Sequence, residues 1–135
     1  MQEQIRMAAC ACGAVSVSAL GEPIVVNACS CGDCQLRSGS AFTYTAFYQK
    51  GSVVLSGALN TFRNSSDSGR WRDSLFCPTC GVTMLTRLEV FPHAVGVPVG
   101  ALADTAYPAP NAFYWAKRKH AWYSLDAPVP KLPEQ

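Results

Sequence analysis

Long hydrophobic runs and charged residues are both scarce in this sequence. No apolar run approaches the length of about 20 residues that crosses a bilayer, because polar residues, glycine or proline interrupt each candidate. We therefore expect no membrane partner. Charged residues make up 15% of the 135 residues, and the formal net charge is only +2. Because binding to nucleic acid needs a clustered positive surface, the composition also argues against a nucleic-acid partner.

The N-terminus lacks the apolar segment of an export signal. The small residues that follow Arg6 are interrupted by Cys10, Cys12 and Gly13, which makes a poor secretory core. We therefore expect a cytoplasmic location, where thiols remain reduced and disulfides are rare.

Cysteine, in contrast, is abundant and clustered. The seven cysteines fall into three groups. These are Cys10 and Cys12, then Cys29, Cys31 and Cys34, and finally Cys77 and Cys80. An odd number leaves one thiol unpaired, and a bridge within Cys-x-Cys would be strongly strained. The spacing instead predicts metal binding, and two bound Zn²⁺ ions with seven thiolates would bring the formal net charge from +2 to −1.

Glycine accompanies each cysteine group, at Gly13, Gly32 and Gly81. A zinc knuckle turns the chain so that backbone N–H groups face the sulfurs, and glycine adopts the required positive φ at little cost. Pro78 presets φ in the turn that follows Cys77. These features predict zinc as the metal, with two ions for the seven cysteines.

Spacing alone permits several pairings of the three groups. The simplest places Cys10, Cys12, Cys77 and Cys80 around one structural zinc, which would join two segments that lie far apart in the chain. The remaining three, Cys29, Cys31 and Cys34, then leave one coordination position open, as in a catalytic zinc site. A thiol that entered this position would bind as the thiolate.

Two alternatives remain for the three-cysteine group. His93, His120 or a carboxylate could fill the fourth position and close the site. Alternatively, Cys34 could be a redox thiol of low pKa. The chain has no resolving cysteine outside the clusters, which counts mildly against a redox sensor.

The chain has the pattern of one mainly β domain over residues 1–135. Alternating and β-branched runs predict about nine short, mostly antiparallel strands. The clearest segments are residues 14–20, 24–28, 42–48, 52–56, 59–63, 74–76, 82–90 and 95–101. Residues 33–38 have room for one helical turn, and residues 111–119 fit a strand or a short helix. The proline-rich residues 128–135 predict an extended tail.

The order of these motifs resembles the glutathione-dependent formaldehyde-activating enzyme family. The resemblance rests on the three cysteine groups, on residues 37–42 and 99–104, and on the late Trp122. It implies an Mss4-like fold of short antiparallel sheets organised around zinc knuckles, with a structural zinc at the outer cysteines and a catalytic zinc at the middle three. Two positions differ from the usual family pattern, where Ser30 and Phe113 each replace a histidine.

The resemblance also implies a zinc-dependent carbon–sulfur lyase that forms or cleaves S-hydroxymethylglutathione, with a small thiol such as glutathione and an aldehyde such as formaldehyde as partners. An alternative from the same superfamily is a non-catalytic, zinc-stabilised binding module. The two differ in whether a fourth protein ligand closes the three-cysteine site. Neither the resemblance nor the composition specifies an oligomeric state.

Substrate contacts are expected next to the middle cysteines. Arg37 can pair with a carboxylate of glutathione, and Ser38 and Ser40 can donate hydrogen bonds. Asp33 and Tyr44 are further candidates to assist the aldehyde oxygen. Other arginines that could bind a carboxylate are Arg63, Arg70, Arg72 and Arg87.

Overall fold

The computed structural model describes residues 4–65, 68–125 and 127–134. These residues form ten β-strands and one α-helix. The first five strands are β1 (Ile5–Ala9), β2 (Ser16–Leu20), β3 (Val25–Cys29), β4 (Thr43–Gln49) and β5 (Val53–Ser56). The others are β6 (Asn60–Ser65), β7 (Trp71–Phe76), β8 (Thr83–Leu88), β9 (Ala94–Pro98) and β10 (Ala112–Tyr114). The helix α1 (Gly32–Ser38) lies between β3 and β4, and short 3₁₀ helices span Lys50–Ser52, Val99–Leu102 and Ala116–Arg118.

The strands form two sheets. The smaller sheet has the order β1-β2-β5, and the larger has the order β10-β3-β4-β9-β8-β7-β6. Neighbouring strands pair antiparallel, apart from β10, which pairs parallel to β3. The mainly β, mostly antiparallel fold predicted from the alternating runs is therefore confirmed.

One hydrophobic core joins the two sheets. Ala8 and Val17 contribute from the smaller sheet, whereas Tyr48, Met84 and Val97 contribute from the larger one, and each is at most 1% exposed. Burial of these apolar surfaces is the main force that holds the sheets together. The same cluster includes Cys10 and Cys77, so the four-cysteine group is continuous with the core.

The strand β1 was not predicted from the sequence. Its residues, Ile-Arg-Met-Ala-Ala, lack the β-branched alternation that identifies strands, and antiparallel pairing with β2 stabilises them instead. The undecided residues 111–119 contain both β10 and a 3₁₀ turn, Ala116–Arg118. The predicted strand 95–101 ends at Pro98, where a 3₁₀ helix begins.

The predicted tail is held against β10. Phe113 N–H donates to the Pro130 carbonyl at 2.8 Å, and Leu132 N–H donates to the Phe113 carbonyl at 2.8 Å. Val129 is buried beside Phe113 and Ala28. The tail is thus extended and attached to the edge of the larger sheet, and its last residue, Gln135, lies outside the described residues. Among the described helices, none has the length and apolar character that crossing a membrane requires.

Candidate metal centres

The structure brings the outer four cysteines together. The sulfurs of Cys10, Cys12, Cys77 and Cys80 all lie within 4.8 Å of one another. Cys12 Sγ is 3.7 Å from Cys10 Sγ and 3.6 Å from Cys77 Sγ. Four thiolates arranged tetrahedrally around zinc at about 2.3 Å would be about 3.8 Å apart. The donor set and its spacing therefore fit a tetrahedral zinc ion.

Two similar turns present these sulfurs. In each turn a cysteine N–H donates to a carbonyl five residues later, from Cys10 to Val15 at 3.1 Å and from Cys77 to Val82 at 3.0 Å. Gly13 and Gly81 have φ of 79° and 78°, the left-handed region that glycine enters without strain. The repeated geometry explains why the two turns hold their sulfurs toward a common point.

Backbone N–H groups face the sulfurs of this four-cysteine group. Val15 N–H lies 3.3 Å from Cys10 Sγ, and Thr79 N–H lies 3.4 Å from Cys77 Sγ. Hydrogen bonds from the backbone N–H groups of Val82 and Cys12 lower the pKa of Cys80 to about 6. Because metals bind the thiolate form, this environment prepares the group for metal binding.

The middle cysteines form a second group at the junction of β3 and α1. Cys29 is the last residue of β3, Cys31 precedes the helix, and Cys34 lies in its first turn. The Cys31 sulfur caps the helix by accepting a hydrogen bond from Cys34 N–H at 3.2 Å. All three sulfurs lie within 4.8 Å of one another and all three residues are buried. They form a compact donor set that can bind a metal ion.

The electrostatic environment favours a thiolate at Cys34. Hydrogen bonds from the thiols of Cys29 and Cys31 hold the pKa of Cys34 far below its ordinary value, and the positive charge of Arg72 lowers it further. The pKa of Cys29 is raised, because its thiol donates to the other two sulfurs. One member of the group therefore ionises first, and a divalent cation would replace the protons that the other two retain.

Among the described residues, no histidine, aspartate, glutamate or further cysteine lies close enough to the three sulfurs to be a fourth ligand. Both histidines are exposed. His93 lies in the turn before β9, and His120 lines a surface depression with Trp122. The two cysteine groups therefore differ in the number of possible protein ligands that the described structure offers, four in one and three in the other.

A cleft of about 500 Å³ lies between the two cysteine groups. Arg37 and Ser38 line it on the side of α1, and Gly81 and Val82 line it on the side of the four-cysteine group. A smaller cavity of about 30 Å³ has Cys29 in its wall. Both spaces share the side chains of Arg37, Thr43, Thr45 and Thr86. The cleft and the cavity that borders Cys29 thus share one wall.

Gly96 on β9 keeps space open beside this cavity. It pairs with Phe47 on β4 and with Thr86 on β8. A Cβ atom at position 96 would lie 2.7 Å from Thr45 Cγ2 and 2.9 Å from Phe47 Cε1. Both contacts are too short, and both side chains line the small cavity. The missing side chain therefore allows Thr45 and Phe47 to pack closely over β9.

The structure separates the three residues predicted to bind substrate. Arg37 and Ser38 line the cleft, whereas Ser40 lines the surface depression that contains His120 and Trp122. The Ser38 hydroxyl accepts a hydrogen bond from Ser40 N–H at 3.2 Å and donates to the Gln35 carbonyl at 3.4 Å. The Arg37 guanidinium contacts Asp33 at 3.0 Å and Ser74 Oγ at 2.9 Å.

Asp33 and Tyr44 are both engaged within the protein. Asp33 accepts hydrogen bonds from Arg37 and Arg72. The Tyr44 hydroxyl donates to the carbonyls of Tyr107 and Pro108, and burial raises its pKa. Neither group is available to protonate an aldehyde oxygen while these contacts persist.

The other candidate arginines occupy different surroundings. Arg63 forms a bidentate ion pair with Asp73 at 2.7 and 3.1 Å, and Arg87 lines a pocket with it on the far side of the sheet. Arg70 is exposed. Arg72, in contrast, is buried against the middle cysteines, with Nη1 3.1 Å from Cys34 Sγ.

Neither of the two positions that depart from the family pattern lines the cleft. Ser30 is fully buried, and its hydroxyl lies 3.3 Å from the Ala41 carbonyl and 3.4 Å from the Tyr123 hydroxyl. Phe113 is also fully buried, with its ring 5.5 Å from that of Phe42. The three sulfurs lie together with Ser30 between two of the cysteines in sequence.

Several residues at the site were missed from the sequence. Thr45 and Thr86 come together only because β4 and β8 both flank β9. Trp115 packs against the three cysteines, with the side chains of Lys117 and Arg118 over its ring. The one available signal was Gly96 within an apolar strand, since glycine there often marks a close approach of neighbouring groups.

Comparisons with known proteins give a family match and a similar fold. The family model described as glutathione-dependent formaldehyde-activating enzyme matches residues 5–118. A crystal structure of a Rhodobacter sphaeroides protein is similar in fold, with a TM-score of 0.59 and 22% sequence identity. The similarity covers 75% of this chain and 91% of that one. No curated protein matches the chain.

Proposed function

Because the chain belongs to the glutathione-dependent formaldehyde-activating enzyme family, we propose that it is a zinc-dependent carbon–sulfur lyase. Its reaction would join a small thiol, glutathione in the first instance, to an aldehyde such as formaldehyde, and would cleave the adduct in reverse. The observation that carries the proposal is the compact group of sulfurs at Cys29, Cys31 and Cys34, which borders a small cavity next to the cleft and has no fourth ligand among the described candidate residues.

We propose zinc as the metal at both cysteine groups. Cys10, Cys12, Cys77 and Cys80 would hold a structural ion, whereas Cys29, Cys31 and Cys34 would hold a catalytic one. Zinc at three thiolates supplies a Lewis-acid position that accepts an external thiol in its deprotonated form. The whole chain would act as one zinc-binding domain, in a reducing compartment such as the cytoplasm, since all seven cysteines are free thiols.

The residues around the cleft would bind and orient the two substrates. A volume of about 500 Å³ is within the range of pockets that take small molecules. Ser38 lines the outer cleft and can contact the body of the thiol substrate. Arg37 can offer positive charge to a carboxylate, although its own contacts with Asp33 and Ser74 fix its position. Ser40 would act through its backbone N–H, which holds the Ser38 hydroxyl.

The carbon–sulfur bond forms when the thiol sulfur donates an electron pair to the aldehyde carbon. The electron pair of the carbonyl π bond moves to the oxygen, which gains a proton to give the hydroxymethyl product. The thiol loses one proton on binding, so the overall reaction neither gains nor loses protons. The hydroxyls of Thr45 and Thr86, in the wall shared by the cleft and the cavity, are the groups we propose to stabilise the developing charge on oxygen.

Metal content and activity together test this proposal. Purified protein should contain two zinc ions, and it should accelerate formation of S-hydroxymethylglutathione, followed by nuclear magnetic resonance exchange between free and bound formaldehyde. Cys31→Ser should remove one zinc and the activity while the melting temperature stays close to that of the parent. Full activity in Cys31→Ser without its metal would contradict the proposal.

A non-catalytic binding module is the second candidate. The engagement of Asp33 and Tyr44 in internal contacts favours it, because neither can serve as an acid. Such a module would bind two zinc ions and show no rate acceleration with any thiol and aldehyde tried. The exchange experiment therefore also separates these two candidates.

A further inference from the structure

Arg72 on β7 lies directly against the three-cysteine group. Its Nη1 is 3.1 Å from Cys34 Sγ and 3.7 Å from Cys31 Sγ. The residue is only 8% exposed, although arginine is almost never buried without a partner of opposite charge. A single guanidinium nitrogen thus faces two of the three predicted metal ligands.

Asp33 fixes the position of this guanidinium. Its Oδ2 accepts from Arg72 Nη1 at 2.7 Å and from Arg37 Nε at 3.0 Å, and its Oδ1 accepts from Asn64 Nδ2. Asp33 itself lies between Cys31 and Cys34 in the first turn of α1. The contacts therefore tie β6 and β7 to the segment that carries the sulfurs.

The charges at this site balance when a metal is bound. Three thiolates around a divalent ion leave one net negative charge, and Asp33 adds a second. Arg37 and Arg72 supply two positive charges, since both guanidinium groups contact Asp33 and a cysteine sulfur. Removing either arginine would leave uncompensated negative charge in a buried site, which is costly.

The four-cysteine group has a different set of partners. The donors that face its sulfurs include the backbone N–H groups of Val15 and Thr79, which carry no formal charge. Hydrogen bonds from a charged donor are roughly twice as strong as those between neutral groups. The two groups therefore differ in the charge of their donors as well as in the number of sulfurs.

We propose that Arg72 is a positioning residue that tunes the three-cysteine site to accept an anionic fourth ligand. Its charged hydrogen bonds to Cys34 and Cys31 withdraw negative charge from these sulfurs. An external thiolate, which brings a further negative charge, then meets less repulsion. The part that concerns the external thiol rests on the proposed function, whereas the contact of Arg72 with the cysteine sulfurs does not.

The test uses cobalt-substituted full-length protein with three variants. Arg72→Gln removes the charge, Arg72→Lys retains it, and Arg63→Gln removes an arginine of the neighbouring strand that pairs with Asp73. The sulfur-to-cobalt charge-transfer band reports the electron density on the sulfurs. We expect the band of Arg72→Gln to move to longer wavelength, and its dissociation constant for glutathione to rise roughly tenfold or more. Arg63→Gln should leave both unchanged, and Arg72→Lys should restore much of the affinity.

An unchanged band and unchanged glutathione affinity in folded Arg72→Gln would overturn the proposal. The same conclusion would follow if Arg63→Gln shifted the band equally. If Arg72→Gln does not fold, Arg72→Lys decides. A parental band and parental glutathione affinity in Arg72→Lys support the charge argument. If neither variant folds, Arg72 serves stability alone and the proposal is overturned. If parent protein binds no thiol while Arg72→Gln still shifts the band, the proposed function fails and the tuning of the sulfurs stands.

Discussion

The two cysteine groups offer the same kind of ligand, the thiolate, in different surroundings. The four-cysteine group joins β1 and β2 to the turn after β7, and Cys10 and Cys77 are continuous with the hydrophobic core. The three-cysteine group lies outside that core, in a separate cluster with Trp115, and borders a cavity. The number of cysteine ligands alone therefore does not define the role of a metal site. Continuity with the hydrophobic core favours a structural role for the four-cysteine group, whereas the neighbouring cavity favours a chemical role for the three-cysteine group.

Among the changes considered, loss of the four-cysteine group should have the largest effect on the stability of the fold. Cys77→Ser removes a fully buried sulfur from the site that links segments 65 residues apart. Zinc binding to such sites contributes about 10–16 kcal/mol in small domains, which is comparable to the total stability of about 5–15 kcal/mol of a typical protein. We therefore expect Cys77→Ser to be unfolded, as measured by circular dichroism.

The matched variant for this prediction is Cys31→Ser, from the other group. A folded, zinc-containing Cys77→Ser protein with a parental melting curve would show that the four-cysteine group is not structural.

A smaller effect, confined to the side of the three-cysteine group, is expected from Gly96→Ala. The added methyl group would meet Thr45 and Phe47 at under 3 Å and would push them toward the cavity. Overpacking of this kind costs about 1–3 kcal/mol of stability. We expect kcat/KM to fall roughly tenfold while zinc content, measured by mass spectrometry, remains at two ions per chain.

Gly51→Ala is the control for this variant, since a Cβ at position 51 would contact nothing within 4 Å. If Gly96→Ala kept parental kcat/KM, the small cavity would not belong to the reaction path.

Part of this comparison was predictable from the sequence. Cysteine spacing and the flanking glycines are local features, so the two groups and their division into four and three could be inferred before the fold. The relation between Thr45, Thr86 and Gly96 could not, because it depends on the order of β4, β9 and β8 in the sheet. Strand order depends on pairings between distant segments, which local patterns do not specify.

The surroundings of Arg72 also could not be predicted from the sequence. In the sequence it is one of several arginines that could pair with a substrate carboxylate. The fold buries it against Cys34 and Asp33 instead. Only the packing of β7 beside α1 distinguishes Arg72 from the exposed Arg70.

The smallest expected effect concerns the outer cleft. Ser38→Ala removes one hydroxyl that lines the cleft. This hydroxyl donates one neutral hydrogen bond and accepts another, and each such bond is worth about 0.5–1.5 kcal/mol. We expect KM for glutathione to rise between about twofold and tenfold, with kcat little changed.

Ser40→Ala should have a weaker effect, because Ser40 acts on Ser38 through its backbone N–H. A larger loss in Ser40→Ala than in Ser38→Ala would show that the surface depression beside Trp122, and not the cleft, receives the thiol.

The three-cysteine group, unlike the four-cysteine group, would offer its metal an exchangeable fourth position. The most direct measurement is titration of fully cobalt-substituted protein with glutathione, followed by absorption spectroscopy of the sulfur-to-cobalt bands. We expect a saturable rise in charge-transfer absorbance as an eighth sulfur joins the seven of the protein, and no such rise in Cys31→Ser. A spectrum that glutathione leaves unchanged in the parent protein would contradict it.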